Sequence, residues 1–477
     1  MNKNFYITTT IPYVNADPHI GFALELVQTD AIARYQCLMG NEVFFSTGTD
    51  EYGQKIFEAS QKEGKDVQEY VDYYAQRFLD LKDTLNLSYD NFIRTTSKEN
   101  ITAAQEFWKL CEQKGDIYKK AYTGLYCVGC EKFITEKDVV NGACVLHPNS
   151  KLETVEEENY FFRLGNYKTQ LLEYLRGENV IFPEWRRKEA VDFVENAMED
   201  FSISRSSSRI SWGIPIPGDD TQVMYVWFGA FVNYISTLGW PNNKENFEKF
   251  WMNGHRVQTA GKDMVKFQSV MWQGMLMSAD LALTDTVVYH GFITGEGGIK
   301  MSKSIGNVIN PNDIVNEYGT DALRFFLLKE ISSFDDSPFT MERFKDSYNA
   351  GLANGLGNLA SRILTLSEKY LDECPPIPEQ SDFTEYFKLY ESFDLKSVMD
   401  YIWSHISELD KSIQETEPFK VVKVDLEKGK ELITDMVLKL YQIARMLNPV
   451  MPETNAKLKK LIRENKKPEA PLFLRKE

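Results

Sequence analysis

Pro18-His19-Ile20-Gly21-Phe22 sets an imidazole and a glycine at the start of an apolar-periodic stretch. Backbone N–H groups and a histidine placed there can face a polyphosphate. Alone, the pattern is also that of an ordinary helix entry. Far downstream, Gly297-Gly298-Ile299-Lys300-Met301-Ser302-Lys303-Ser304-Ile305-Gly306-Asn307 holds two lysines and two hydroxyls between glycines. Lysines on such a loop can neutralise charge that develops on a pyrophosphate leaving group; the plainer alternative is a solvated surface loop. A third cluster pairs Cys127-Val128-Gly129-Cys130 with Cys144-Val145-Leu146-His147, thirteen residues apart. Three thiolates and one imidazole complete a tetrahedral ligand set, which points to a structural zinc. Six cysteines in 477 residues are too few for a disulfide scaffold.

The elements that must carry these residues can be read from periodicity. Asn4 to Thr10 is β-branched and aromatic and predicts a buried strand, ended by Pro12, Asn15, Asp17 and Pro18. A helix is expected from near His19, with Ala23, Leu26, Val27, Ala31 and Ile32 on its apolar face, then Gly40 and a second strand over Glu42 to Ser46. This βαβ order puts His19 at the carboxyl end of a parallel strand, where open α/β sheets bind ligands. From about 118 to 225 the pattern reads as short strands and turns, an insertion. Alternation resumes from Met224, with a strand candidate at Val287-Val288-Tyr289-His290. From about Asn349 onward the period is helical, as in Ile433, Met436, Leu440 and Ile443, which predicts a bundle. Length calls for two or three domains. The net charge of −16 opposes nonspecific adhesion to nucleic acid, so any RNA contact must be local and specific. No secretory signal and no apolar run of about 18 residues are seen, so a cytoplasmic location without membrane contact is expected.

His19-Ile20-Gly21-Phe22 after the first strand, and Lys300-Met301-Ser302-Lys303-Ser304 about 280 residues later, resemble the two signatures of class I aminoacyl-tRNA synthetases. Ile11-Pro12-Tyr13-Val14-Asn15, Thr47-Gly48-Thr49-Asp50-Glu51-Tyr52-Gly53-Gln54-Lys55, Glu157 to Arg163, Tyr225-Val226-Trp227, Gly261-Lys262-Asp263 and Leu356-Gly357-Asn358-Leu359 are similar to the methionyl-tRNA synthetases in particular. The likeness runs from residue 5 to about 475. It implies an α/β, Rossmann-like catalytic domain split by a zinc-bearing insertion and followed by an all-α anticodon-binding bundle. The expected boundaries are 1–117 and 224–295 for the catalytic halves, 118–223 for the insertion, 296–345 for the lysine loop and stem-contact region, and 346–477 for the bundle.

The resemblance also implies roles. His19, Lys300 and Lys303 would be catalytic, and with Gly21, Phe22, Gly261, Asp263 and Ser302 they would bind ATP and its Mg2+. Asp50 and the backbone of Ile11 would hold the methionine ammonium, Tyr234 would touch the sulfur, Trp227 would wall the pocket, and Phe231, Met264 and Gln268 would line it. Trp227, Phe231 and Tyr234 stand at i, i+4 and i+7, one face of a helix. Cys127, Cys130, Cys144 and His147 would hold one zinc ion. Asn358, Arg362 and Phe419 would meet the anticodon of tRNA(Met), initiator tRNA included, in a monomeric enzyme. Four positions depart from the family pattern: Phe22 for histidine, Gly229 for aspartate, Gln268 for histidine, and Phe419 for a tryptophan after proline. Two other readings stay open, a noncatalytic paralogue that binds RNA or protein, and a ligase for another apolar amino acid or another acceptor.

Overall fold

The computed structural model describes residues 3–128, 132–134, 138–140, 142–145, 147–148, 152–299, 301, 308–378 and 383–477. Contacts divide the chain into two compact units, one of residues 1–18, 41–82 and 89–289, the other of residues 19–40, 83–88 and 290–477.

The first unit is built on a six-stranded sheet. Strand β1 (Asn4–Thr8) leads through helix α1 (Ile20–Leu38) to β2 (Glu42–Thr49), and β3 (Asn91–Arg94) follows. The sheet order is β3, β2, β1, His255–Gly261, Thr286–His290 and Ile181–Phe182. β1 lies parallel to β2 on one side and to His255–Gly261 on the other. The chain therefore steps outward from β1 through β2 to β3, then returns on the far side of β1. That reversal is a topological switch point, and ligands of open α/β sheets bind at the carboxyl ends of the strands that flank it. Ile11, Asp50 and Asp263 all follow those ends.

Phe5 to Thr8 are all buried, as a parallel strand covered on both faces requires. The same unit holds an antiparallel ribbon of Ile117–Cys127 with Leu152–Phe162, and Cys127 faces Leu152 at its far end. Reading 118–225 as short strands and turns misses two helices, Lys168–Leu175 and Glu184–Asn196. The second buries only Ala190 and Val194, so its apolar period is too sparse to show in a charged segment. The sequence also gives no sign that Ile181–Phe182 pairs in parallel with Thr286–His290 and so lends the main sheet its edge strand.

Among the described residues, the second unit is mainly helical and carries the paired strands Ile293–Thr294 and Ser337–Pro338. Its helices include Thr320–Lys329, Asn358–Tyr370, Leu395–Thr416, Pro418–Val424, Leu426–Met446 and Pro452–Arg463. By its contacts α1 belongs here. Nearly every residue from Ala23 to Ala33 is buried, so α1 has no solvent face to accept its acids, Glu25 and Asp30. Each finds a partner: Glu25 meets His290 at 2.8 Å, and Asp30 meets Arg324 at 2.7 Å with both side chains fully buried.

Candidate active site, metal knuckle and helical tRNA face

In the first unit, Asp50 directly follows β2 and is 3% exposed. Its N–H donates to the Pro12 carbonyl (2.9 Å) and its carbonyl accepts from Val14 N–H (3.3 Å), which clamps the Ile11–Val14 segment against the end of the strand. The Thr95 hydroxyl accepts the Glu51 N–H at 2.9 Å and donates to Asp50 Oδ1 at 3.4 Å. Glu51 is fully buried and held by the fork of Arg94, at 2.7 and 2.9 Å. The neighbouring Tyr52 phenol is pushed up to about 12, first by burial and then by the carboxylates of Glu51 and Asp50.

An aromatic cluster lies in the same unit. Trp227 and Phe231 share helix Val226–Phe231, while Tyr234 sits on the separate short helix Asn233–Ser236. The break between them does not scatter the set: Phe231 and Tyr234 both pack on Trp272, at centroid distances of 5.8 and 5.9 Å. Trp227 stacks on Phe267 at 4.6 Å and meets the edge of Tyr13 at 6.2 Å. Met264 is partly buried against this core, and Gln268 is fully buried on the π-helical turn Phe267–Met271. The Tyr234 hydroxyl donates to Gln268 Oε1 at 3.3 Å. Among the described residues, Gln268 Nε2 and Trp227 Nε1 are buried with no hydrogen-bond partner. A buried carboxylate with an aromatic, weakly polar cluster in the same unit suits an amino acid with a long apolar side chain. The sequence assigns no role to Phe267 or Thr95, and Tyr13 enters only within the Ile11–Asn15 motif. Phe267 was visible as the neighbour of Gln268, whereas the tie from Thr95 to Asp50 depends on strand pairing that no local pattern reveals.

Gly229 leaves no room for a side chain unless Ile214 moves, since a Cβ would lie 2.8 Å from Ile214 Cδ1. The aspartate usual at that position is replaced here by an apolar contact. Gly261 closes the strand His255–Gly261 and is buried, and Asp263 is exposed on the short 3-10 turn Lys262–Met264 that follows.

In the second unit, His19 caps α1, and its Nδ1 accepts the Gly21 N–H at 3.0 Å. In the neutral ring the proton therefore sits on Nε2. A Cβ on residue 21 would lie 2.8 Å from His19 Cε1, which explains why glycine follows the histidine at this spacing. Phe22 stacks on the His19 ring at 4.3 Å, so the position that departs from the family pattern braces the imidazole. Lys300, Ser302 and Lys303 lie outside the described residues.

Cys127, Cys144 and His147 bring their ligand atoms within 4.8 Å of one another. Cys127 and Cys144 are buried in a small apolar cluster with Ile134, and the His147 N–H donates to the Cys144 carbonyl at 3.1 Å, a knuckle turn. Cys130 lies outside the described residues. The donor set suits zinc.

On helix Asn358–Tyr370, Asn358 is exposed, and Arg362 one turn on is ion-paired with Asp410 at 2.6 Å. Phe419 is 39% exposed on helix Pro418–Val424.

The model of "tRNA synthetases class I (M)" matches residues 5–153 and 136–364. A methionine-tRNA ligase of Thermotoga maritima is 38% identical over 97% of this chain and 76% of its own length. One from Caldanaerobacter subterraneus subsp. tengcongensis is 40% identical over 96% and 74%. The structure of Mycobacterium tuberculosis methionyl-tRNA synthetase in complex with methionyl-adenylate superposes with a TM-score of 0.89 at 34% identity, over 96% of this chain and 93% of that one. With the switch-point sheet, the capped His19 helix and the aromatic cluster beside Asp50 in place, these likenesses show that the chain belongs to the class I tRNA synthetases, in their methionyl-tRNA synthetase branch.

Proposed function

We infer that this chain ligates L-methionine to tRNA in two steps. The methionine carboxylate attacks the α-phosphorus of ATP to give methionyl-adenylate with release of pyrophosphate, and the 3'-terminal adenosine hydroxyl of the tRNA then attacks the carbonyl with release of AMP. The observation that carries the reading is the full-length likeness to a structure holding methionyl-adenylate, joined to the buried Asp50 and its aromatic neighbours. Mg2+ bound with ATP supplies charge neutralisation at the phosphates.

Asp50 pairs with the substrate ammonium, and the backbone of Ile11 beside it accepts a further bond. Trp227, Phe231, Tyr234, Met264 and Gln268 shape the side-chain pocket. The His19 Nε2 proton and the cationic Lys300 and Lys303 stabilise charge on the phosphates as pyrophosphate leaves, Gly21, Phe22 and Ser302 also bind ATP, and Gly261 and Asp263 receive the ribose. Cys127, Cys130, Cys144 and His147 hold a zinc ion whose work is structural. Asn358, Arg362 and Phe419 read the anticodon of tRNA(Met), the initiator included; Arg362 exchanges its bond to Asp410 for a base. One chain carries the motifs for both steps, so a monomer suffices. The substrates place the work in the cytoplasm, and among the described residues no helix is long and apolar enough to cross a membrane.

The test is ATP–pyrophosphate exchange with each standard amino acid offered singly. Exchange stimulated by methionine alone, and sharply reduced in His19→Ala and Lys303→Ala, is the expected result. No exchange with any amino acid, from folded and zinc-replete protein, would overturn the reading in favour of a noncatalytic RNA- or protein-binding paralogue.

A further inference from the structure

His290 ends the strand Thr286–His290, ten residues before Lys300, and is 6% exposed. Its Nδ1 lies 2.8 Å from the Gly291 carbonyl, and its Nε2 lies 2.8 Å from Glu25 Oε2. A carbonyl oxygen can only accept, so Nδ1 carries a proton. The contact to Glu25 needs a second proton, on Nε2 or on the carboxyl, because two lone pairs facing each other at that distance would repel. The pair thus shares one buried proton beyond that of a neutral imidazole.

Glu25 is on α1, six residues after His19, its cap. The same helix also holds the chain where it leaves the lysine segment: Ile20 N–H donates to the Ile309 carbonyl at 3.0 Å. Both ends of the stretch that contains Lys300 and Lys303 are therefore tied to the helix that presents His19, one by a backbone bond and one by the proton shared between Glu25 and His290.

We propose that Glu25 and His290 are positioning residues for adenylate formation, whose shared proton fixes the root of the lysine segment on the His19 helix. The proposal rests on the synthetase reading above. It assigns work to two buried groups that touch no reacting atom. Their effect falls on the transition state, where the lysines act, and not on binding of either substrate.

The experiment is steady-state ATP–pyrophosphate exchange on Glu25→Ala, Glu25→Gln and His290→Ala, with limited trypsin cleavage after Lys300 and Lys303 on the same proteins. A glutamine at 25 can donate from its amide to an Nε2 that keeps its lone pair, so the bond survives without the extra proton. Turnover is expected to fall about 10- to 100-fold in Glu25→Ala and His290→Ala. The KM values for methionine and ATP should stay within about threefold of the wild type, and Glu25→Gln should recover most of the turnover. Wild-type turnover in folded Glu25→Ala and His290→Ala would overturn the proposal. So would losses as deep in Glu25→Gln as in Glu25→Ala, or losses matched by higher KM values and a lower unfolding midpoint. If the wild type shows no methionine-dependent exchange, the synthetase reading fails by itself, and cleavage still decides the anchor: faster cutting in Glu25→Ala supports it, and equal rates overturn it.

Discussion

In the proposed reading Asp50 holds the substrate cation: it is buried, it accepts a bond from the Thr95 hydroxyl, and its neighbour Glu51 is paired with Arg94. Asp50→Asn should raise the methionine KM in pyrophosphate exchange about 100-fold, the scale of removing one partner of a desolvated charge pair. Thr95→Val should raise it only about fivefold, since the bond to Oδ1 is long. A larger effect at Thr95 than at Asp50 would mean that the ammonium is held elsewhere. Gly21 makes a second point at this scale. Gly21→Ala pushes a methyl into the His19 ring, and with Phe22 stacked on that ring it should cost about 10- to 100-fold in exchange turnover while the unfolding midpoint holds.

Helix α1 links the residue scale to the element scale. Its near-total burial leaves Asp30 to be satisfied from within: Arg34 at 2.7 Å, the Ser88 N–H and hydroxyl at 2.6 and 2.7 Å, and the guanidinium of Arg324. Arg324 also donates to the carbonyls of Val450, Leu85 and Pro449 at 2.9 to 3.1 Å. This buried fork joins α1 to the helical bundle through polar bonds whose geometry admits no sliding. Arg324→Met should destabilise the protein by about 3–5 kcal/mol in denaturant unfolding, because an anion is left short of its partner, and adding Asp30→Asn should return part of that loss. If the double variant proves no more stable than the single one, uncompensated charge is not the cause. The apolar period of α1 is legible in the sequence, which assigns no role to its two acids. Only the tertiary environment shows that they are the helix's fastening points.

At the scale of the whole molecule, the cysteines divide by environment. Cys111 is buried and its thiol is pushed up to about 12, chiefly by that burial, so it stays protonated and unreactive at neutral pH. Cys127 and Cys144 are buried too, and in the proposed zinc complex they are thiolates shielded by metal. Brief alkylation of the native protein should therefore label the exposed Cys37 first. Zinc removal by a chelator should expose the knuckle cysteines to label, leave Cys111 unlabelled, and lower exchange activity without abolishing it. Complete loss of activity on chelation with the fold intact, restored when zinc is added back, would assign the ion more than a structural part.

What the sequence determines by itself is motifs that neighbouring residues spell together: the histidine-glycine helix entry, the lysine motif, the cysteine and histidine spacing, and the run of strand, helix and strand around β1. These depend on spacing along the chain, and spacing survives without a fold. The tertiary structure decided what depends on pairing over long distance. It took strand Ile181–Phe182 from the insertion to edge the main sheet, brought Thr95 to Asp50 across adjacent strands, set Trp227 against Phe267, and seated Glu25 on His290, 265 residues away. Periodicity records which face of a segment is buried, and it carries no term for the partner that the face will meet.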